Sequence, residues 1–406
     1  MLEPLPYQQQ LVEFLKTEEA ELWAWFRDNG RTSQAVETAR LDLLKATYRL
    51  DQIEYEPLYL VAQQVAESLE IDTPITLYRA AHSEGLNAAL APLPDEAHIV
   101  LMGPVLESLD EQGMKALVGH ELGHYLLDQH GNGDYAIARQ LLDSLTWDSN
   151  AHGAHFATAR LYDLYTQVFC DRAALRAVGQ LDDVITMLAR VETGSAPTSA
   201  AQYLREAEQA LASHDQSMAS ETAASLSGFV RARALQAWNR NEGSTAAIAA
   251  IVEGKRELEH LDLLGQRDIE LQTRSLLTAL LSPPWFQTDA VINHAKLFFA
   301  DFAVDKSIAV DQLANHLSIE SESLRDYFCF LLLDFCTVDR RLEDGPLSQA
   351  IHIARSVGLG EAFATVAQRE LRVRKTQYEK VEQDVDAVLA AALGAANHTE
   401  DPPTES

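Results

Sequence analysis

The sequence predicts a mainly helical α+β protein, with one small β-sheet in its N-terminal part and an all-α C-terminal part. Three observations carry this. Most of the 406 residues place apolar side chains three and four apart, the period of an amphipathic helix. Between residues 73 and 102 the period changes to short, alternating or β-branched runs broken by Gly, Pro and Asp. The helical period then returns and persists almost to the C-terminus.

In chain order, "LVEFLKTEEAELWAWF", "ARLDLLKATYRL" and "EPLYLVAQQVAESL" within residues 8–70 predict two or three packed helices. "TPITLYRA" (73–80), "LNAALAP" (86–92) and "AHIVLM" (97–102) predict three strands. A Ser108/Glu111 capping box opens a helix over about 110–129, and Gly131 with Gly133 closes it. Further helices are predicted at 152–178, ending at Gly179, and at 181–192. "ETGSAPTSAA" (192–201) predicts a loop or linker, residues 203–280 are again helical, and "LLSPPWF" (280–286) interrupts them. The expected organisation is N-terminal helices (1–54), a central domain (55–240), a helical linker region (241–289), an all-α domain (290–395) and a disordered tail (396–406). "AVDKSIAVDQL" (303–313) and "TVDRRLEDGPL" (337–347) echo each other at an offset of 34 positions, which predicts either a duplicated helical unit or two helix pairs sharing a turn.

Asp and Glu number 61 against 32 Lys and Arg, a formal charge of -29, and no basic run interrupts the excess. Phosphate backbones and anionic membrane surfaces would repel such a chain, so nucleic acid is not an expected partner. Cys170, Cys329 and Cys336 follow no metal-type spacing and read as free, packed thiols in a reducing compartment. "MLEPLPYQQQLVEFLKTEEAELW" lacks a cationic start and an apolar core of signal-peptide type. The longest apolar runs, such as "FCFLLL" (328–333), fall well short of the roughly 18 residues a membrane span needs. A soluble, cytoplasmic protein with no membrane span is expected.

The chemistry concentrates in "VGHELGHYLLDQH" (118–130). His120 and His124 stand four apart, so one helix stacks them on one strip and lets two imidazole nitrogens aim at one ion, as zinc requires. Glu121 lies on the adjoining strip, within reach of a metal-activated water without ligating the metal, the position of a general base. Apolar residues on both sides of the strip make the histidines semi-buried, and buried imidazoles require partners.

Residues 86–127, "LNAALAPLPDEAHIVLMGPVLESLDEQGMKALVGHELGHYLL", resemble the HtpX-like and CAAX-prenyl-endopeptidase-like zinc metallopeptidases of the gluzincin group. Asn87 and Ala88 fall at that family's N-A strand, Ile99 and Val100 in its I-V-L strand, and Leu106 and Leu109 at the start of the H-E-x-x-H helix. The resemblance implies a helical zincin-type metallopeptidase domain over 55–240, with Zn2+ as cofactor and a peptide or protein as substrate. It implies His120 and His124 as ligands, Glu121 as catalytic base, and an edge strand around Asn87 and Ala88 on which an extended substrate pairs.

The family's third ligand is the Glu of E-x-x-A-D. "QVFCDRAALRAVG" (167–179) fits that helix, with Cys170 at the alanine and Asp171 at the Asp, an implied outer partner of a ligand histidine. The ligand position itself is Gln167. An uncharged amide binds the ion more weakly than a carboxylate and leaves the centre more positive, which acidifies a bound water further if the ion is kept. Asp163 and Asp171, each four residues from Gln167, are alternative ligands, as are His152 and His155 at the start of the same helix. The family's Arg that closes over the active site finds its nearest match in "SLSGFVRARALQAW" (225–238), at Arg231 or Arg233, although the family's preceding His-Pro pair is absent.

"TVDRRLEDGPLSQAIHIARSVGL" (337–359) resembles the tellurite-resistance TerB-like helical module, which implies a metal or protein partner for the region 290–375. Asp339, Glu343 and Asp344 read either as a cation site or as a solvated helix cap. Three functions follow: a zinc metalloendopeptidase regulated by its C-terminal helical domain, a pseudo-peptidase that binds a peptide or partner without turnover, and an adaptor working through the C-terminal domain.

Overall fold

In the computed structural model, residues 2–29, 33–83, 85–91, 93, 96–195, 199–213, 227–240, 245–304, 313–314 and 317–398 are described. They form two compact units, residues 1–255 and 256–406. The segment 241–289, expected as a linker region, contributes one helix to the first unit and another to the core of the second. Most of the first member of the internal echo, residues 305–312, lies outside the described residues, as does the tail beyond residue 398.

The first unit begins with α1 (Pro6–Glu18), α2 (Ala20–Asn29) and α3 (Ser33–Ala46). A short strand, β1 (Thr47–Arg49), follows where only helix was expected: it pairs antiparallel with β2 (Ile75–Ala80), a tertiary contact too short to leave a periodic signal. After α4 (Glu56–Ser68) come β3 (Asn87–Ala91) and β4 (Ala97–Met102), in a sheet of order β1-β2-β4-β3. β2 and β4 run parallel, and β3 pairs antiparallel with β4, Leu90 opposite Ile99.

Alternation along β4 divides the sheet's two faces. Ala97, Ile99 and Leu101 enter the main core with Leu117, Val118 and Leu122, whereas Val100 joins Tyr78 and Leu43 in a smaller cluster on the other face. Among the described residues β3 is an edge strand, its outer side unpaired by any other strand.

After α5 (Val105–Ser108) the H-E-x-x-H helix, α6, spans Glu111–Gln129. Its N-cap is Asp110, whose carboxylate accepts from the Gly113 N–H at 2.9 Å, so the expected Ser108/Glu111 box does not form. Leu109 is extended, which places Asp110 and not Ser108 next to the first free N–H groups. α7 (Asp134–Trp147), α8 (Gly153–Val178), α9 (Leu181–Thr193), α10 (Ala200–Ser213), α11 (Ser227–Asn239) and α12 (Thr245–Glu253) complete the unit. Gly179, in the left-handed region at φ 79°, ends α8 as the sequence predicts.

The second unit is all-α: α13 (Leu263–Leu280), α14 (Asp289–Phe298), α15 (Glu322–Asp334), α16 (Gly345–Ser356), α17 (Gly360–Glu370) and α18 (Lys375–His398). Phe286, Phe328, Phe335 and Phe363 are fully buried at its centre. No described helix of the chain is long and apolar enough to cross a membrane.

Candidate metal centre

α6 and α8 meet along a seam of small residues, and this contact builds the site. A Cβ on Gly119 would lie 3.0 Å from the Ala174 Cα, and one on Gly123 only 2.7 Å from the Cys170 Cα, closer than side chains pack. Glycine at both positions lets the helix backbones approach until His120 reaches across to α8.

His120 is then held at both ring nitrogens. Its Nδ1 lies 2.8 Å from Asp171 Oδ1 and its Nε2 3.1 Å from Gln167 Oε1. Burial pushes the Asp171 carboxyl up, but Arg231 overrides this through its charge and two hydrogen bonds, so the group lies well below the usual carboxylate range and is ionised. Arg231 Nε donates to Asp171 Oδ2 at 2.9 Å and Nη2 to Oδ1 at 2.8 Å. The ionised Asp171 accepts a hydrogen bond from Nδ1–H, which in the neutral imidazole leaves the Nε2 lone pair facing another acceptor, Gln167 Oε1. Two facing lone pairs are resolved by a proton on Nε2, by rotation of the amide, or by a cation held between them. The 3.1 Å spacing fits a hydrogen bond in either of the first two cases and also lies near the roughly 3.3 Å between two donors of a tetrahedral zinc, so it is compatible with all three.

His124 stands beside His120, ring centroids 5.2 Å apart and planes at 80°. Burial, reinforced by His120, pushes its pKa well below the ordinary value, so the ring is neutral and able to ligate. Glu121 is buried and shifted the other way: desolvation raises its pKa, against the opposing influence of His120, of a hydrogen bond from the Leu90 N–H, and of Arg231. A carboxyl made more basic yet still hydrogen-bonded suits proton transfer.

These groups open on a cavity of about 600 Å3 whose wall includes Asn87, Ala88 and Leu90 of β3. The Leu90 N–H points at Glu121, so it faces the unpaired edge, and main-chain alternation turns the N–H and C=O of Ala88 the same way.

Of the remaining residues singled out by sequence, Gln167 and Arg231 also line the cavity. Arg233 does not: it bonds to Gln236 and lies 3.7 Å from Glu208. Asp163 is exposed and outside the cavity wall. His152 and His155 stack on each other with centroids 3.9 Å apart at the start of α8, away from that wall. Asp171 is committed to Arg231 and His120, and so acts behind the histidine. In the second unit Asp339 accepts from Arg341 Nε and Nη2 at 2.9 and 2.7 Å and caps a short turn, whereas Asp344, at the N-cap of α16, makes no side-chain cap hydrogen bond.

Sequence reasoning passed over four features. The Gly119/Gly123 pair was legible as two small residues four apart on the motif helix. Leu90 acts through its backbone and leaves no side-chain signal. Arg139 and Asp128 form a 2.7 Å ion pair in the cavity wall, and each reads in sequence as an ordinary charged helix position. Cys170 reads in sequence as a packed thiol and is fully buried, and the donor atoms of His120, His124 and Cys170 all lie within 4.8 Å of one another.

Neither the curated proteins nor the solved structures contain a match to the chain. Residues 56–218 match Peptidase family M48, a segment that includes β2 to β4, α6 and α8 and stops short of Arg231. The part of the chain that carries the H-E-x-x-H helix is thus similar to the M48 metallopeptidases.

Proposed function

We propose that the first unit is a zinc-dependent metalloendopeptidase, soluble and cytoplasmic, acting on extended peptide segments. The observation that carries this reading is the convergence of His120, His124 and Glu121 on one cavity beside the free edge of β3. His120 and His124 would hold the ion, with Gln167 as a weak neutral donor. Zinc, when bound, supplies Lewis acidity that activates water and polarises a carbonyl. Glu121 takes the proton of the attacking water at its carboxylate and returns it to the leaving amine nitrogen. Leu90 N–H keeps that carboxylate aimed into the cavity. Ala88 offers a main-chain N–H and C=O to an extended substrate, a contact that reads backbone more than side chains.

Arg231 is a positioning residue in this scheme. Its guanidinium is spent on Asp171, which fixes the tautomer and orientation of His120. The sequence likeness of residues 337–359 to TerB-like modules supports a regulatory or partner-binding role for the second unit.

The test is cleavage of casein by zinc-loaded protein. Glu121→Gln is expected to lower the rate by about 10²–10⁴-fold with zinc content unchanged; a zinc-loaded protein that cleaves no peptide would overturn the reading. A second reading, a peptide-binding pseudo-peptidase, is favoured by one observation, the uncharged Gln167 at the position of the third ligand. It predicts little zinc in the purified protein and a clear gain in occupancy for Gln167→Glu, measured by elemental analysis.

A further inference from the structure

Gln167 leaves the histidine pair without a negatively charged third donor, and the aspartates do not supply one: Asp171 is locked to Arg231 and Asp163 points to solvent. Among the described residues the ionisable side chain grouped with both imidazoles is Cys170, which is not itself part of the cavity wall that they line. It lies on α8 three residues after Gln167 and one before Asp171, fully buried, with its backbone drawn against α6 at Gly123. The missing side chain at Gly123 allows this approach. A Cβ there would meet the Cys170 Cβ at 3.1 Å and its Cα at 2.7 Å, so any other residue would push the sulfur away from the histidines.

We propose that the Cys170 sulfur is the third protein ligand of the metal, giving a His120–His124–Cys170 donor set in place of the two-histidine, one-carboxylate set. This rests on the metallopeptidase reading of the cavity. Three protein ligands with a fourth position open is the ordinary build of a catalytic zinc site, and zinc takes sulfur at about 2.3 Å and imidazole nitrogen at about 2.0–2.1 Å. An N-to-S edge in such a tetrahedron is roughly 3.5 Å, so donor atoms within 4.8 Å of one another close on an ion by side-chain rotation. The ion displaces the thiol proton, which leaves to solvent, and a metal–sulfur bond forms without any change of oxidation state.

Two consequences follow. A thiolate restores the single negative charge lost with the carboxylate, so Gln167 is compensated from the same helix, one turn away. A sulfur donor also shifts selectivity toward zinc, cobalt and cadmium and away from magnesium and manganese, which prefer oxygen.

Cobalt(II) titration of the metal-free, full-length protein tests the assignment without reference to activity. The expected result is the visible absorption of a four-coordinate site together with a sulfur-to-cobalt charge-transfer band in the near ultraviolet. Cys170→Ser should lose that band, and its zinc affinity should fall by more than the roughly 10–100-fold that loss of an outer partner costs. Cys329→Ser, Cys336→Ser and Gln167→Ala should keep the band. Cys170→Ala, with helicity checked by circular dichroism, guards against a misfolded serine variant. Cobalt bound without the band, a band that survives in both Cys170 variants, or no cobalt bound at all would each overturn the assignment. A charge-transfer band in a protein that cleaves no peptide would leave Cys170 a ligand and remove only the hydrolase reading.

Discussion

The two units bury different things. At the centre of the second unit Phe286, Phe328, Phe335 and Phe363 fill the space between helices, and ion pairs such as Arg274–Asp301 and Arg355–Glu382 lie at the surface. At the centre of the first, where α6 meets α8, the contact is made by glycine and alanine, and His120, Glu121, Asp171 and Arg172 are buried beside it. Removing such charges from water costs more than their mutual attraction generally returns, so the network does not explain why the first unit is stable. Its apolar core, with Leu77, Ile99, Leu117 and Leu122, does that. Buried, mutually shifted groups around an open cavity are better read as a site whose strain the surrounding core tolerates.

The largest effects should come from emptying each centre in its own currency. Phe328→Ala removes a fully buried ring and should cost about 3–5 kcal/mol, while Arg231→Ala strands the ionised Asp171 and should cost a similar 3–5 kcal/mol or so by a different route. Denaturant titration of the double variant Asp171→Leu/Arg231→Met separates the routes. The double variant should recover much of the loss, because no charge is then left unpaired, and a loss equal to the sum of the singles would mean the network does stabilise the fold. Arg341→Ala is the exposed counterpart in the second unit; its side chain is 79% exposed although its partner Asp339 is buried, and the loss should be smaller than at either centre.

Glycine substitutions should differ in sign between the units. Gly123→Ala sets a methyl group against the Cys170 backbone and should destabilise by about 1–3 kcal/mol with a loss of metal affinity. Gly394→Ala in α18 meets open space and should stabilise by about 0.5–1 kcal/mol. Thermal melts read both, and equal signs would deny the seam its role.

The smallest predicted effect is on pH dependence. The folded pKa of Asp171 is depressed below 3.8, so its contribution is present in full above that value and is lost as pH falls toward the folded pKa. Below about pH 4 the wild-type protein should therefore lose stability faster than Asp171→Asn does; parallel curves would show that the carboxylate is not held by Arg231 as described.

Periodic and local features were open to reading from the chain. The strands β2 to β4 and the placing of His120 beside His124 follow from intervals of two or four residues, the end of α8 from Gly179, and Glu121 from its place next to His120 in the chain. Features that depend on a partner far along the chain were not. β1 exists because Thr47–Arg49 finds β2, Asp110 displaces Ser108 as cap because Leu109 is extended, and Arg231 rather than Arg233 reaches the site because its side chain faces Asp171, 60 residues away.

By itself the sequence determined that one helix carries two imidazoles and a carboxylate on adjoining strips, since helical spacing is set by the backbone and not by context. Only the tertiary structure decided what stands opposite them. How near α8 comes depends on the missing side chains at Gly119 and Gly123, and that distance sets whether Gln167, Cys170 and Asp171 are neighbours of the histidines or bystanders on another helix.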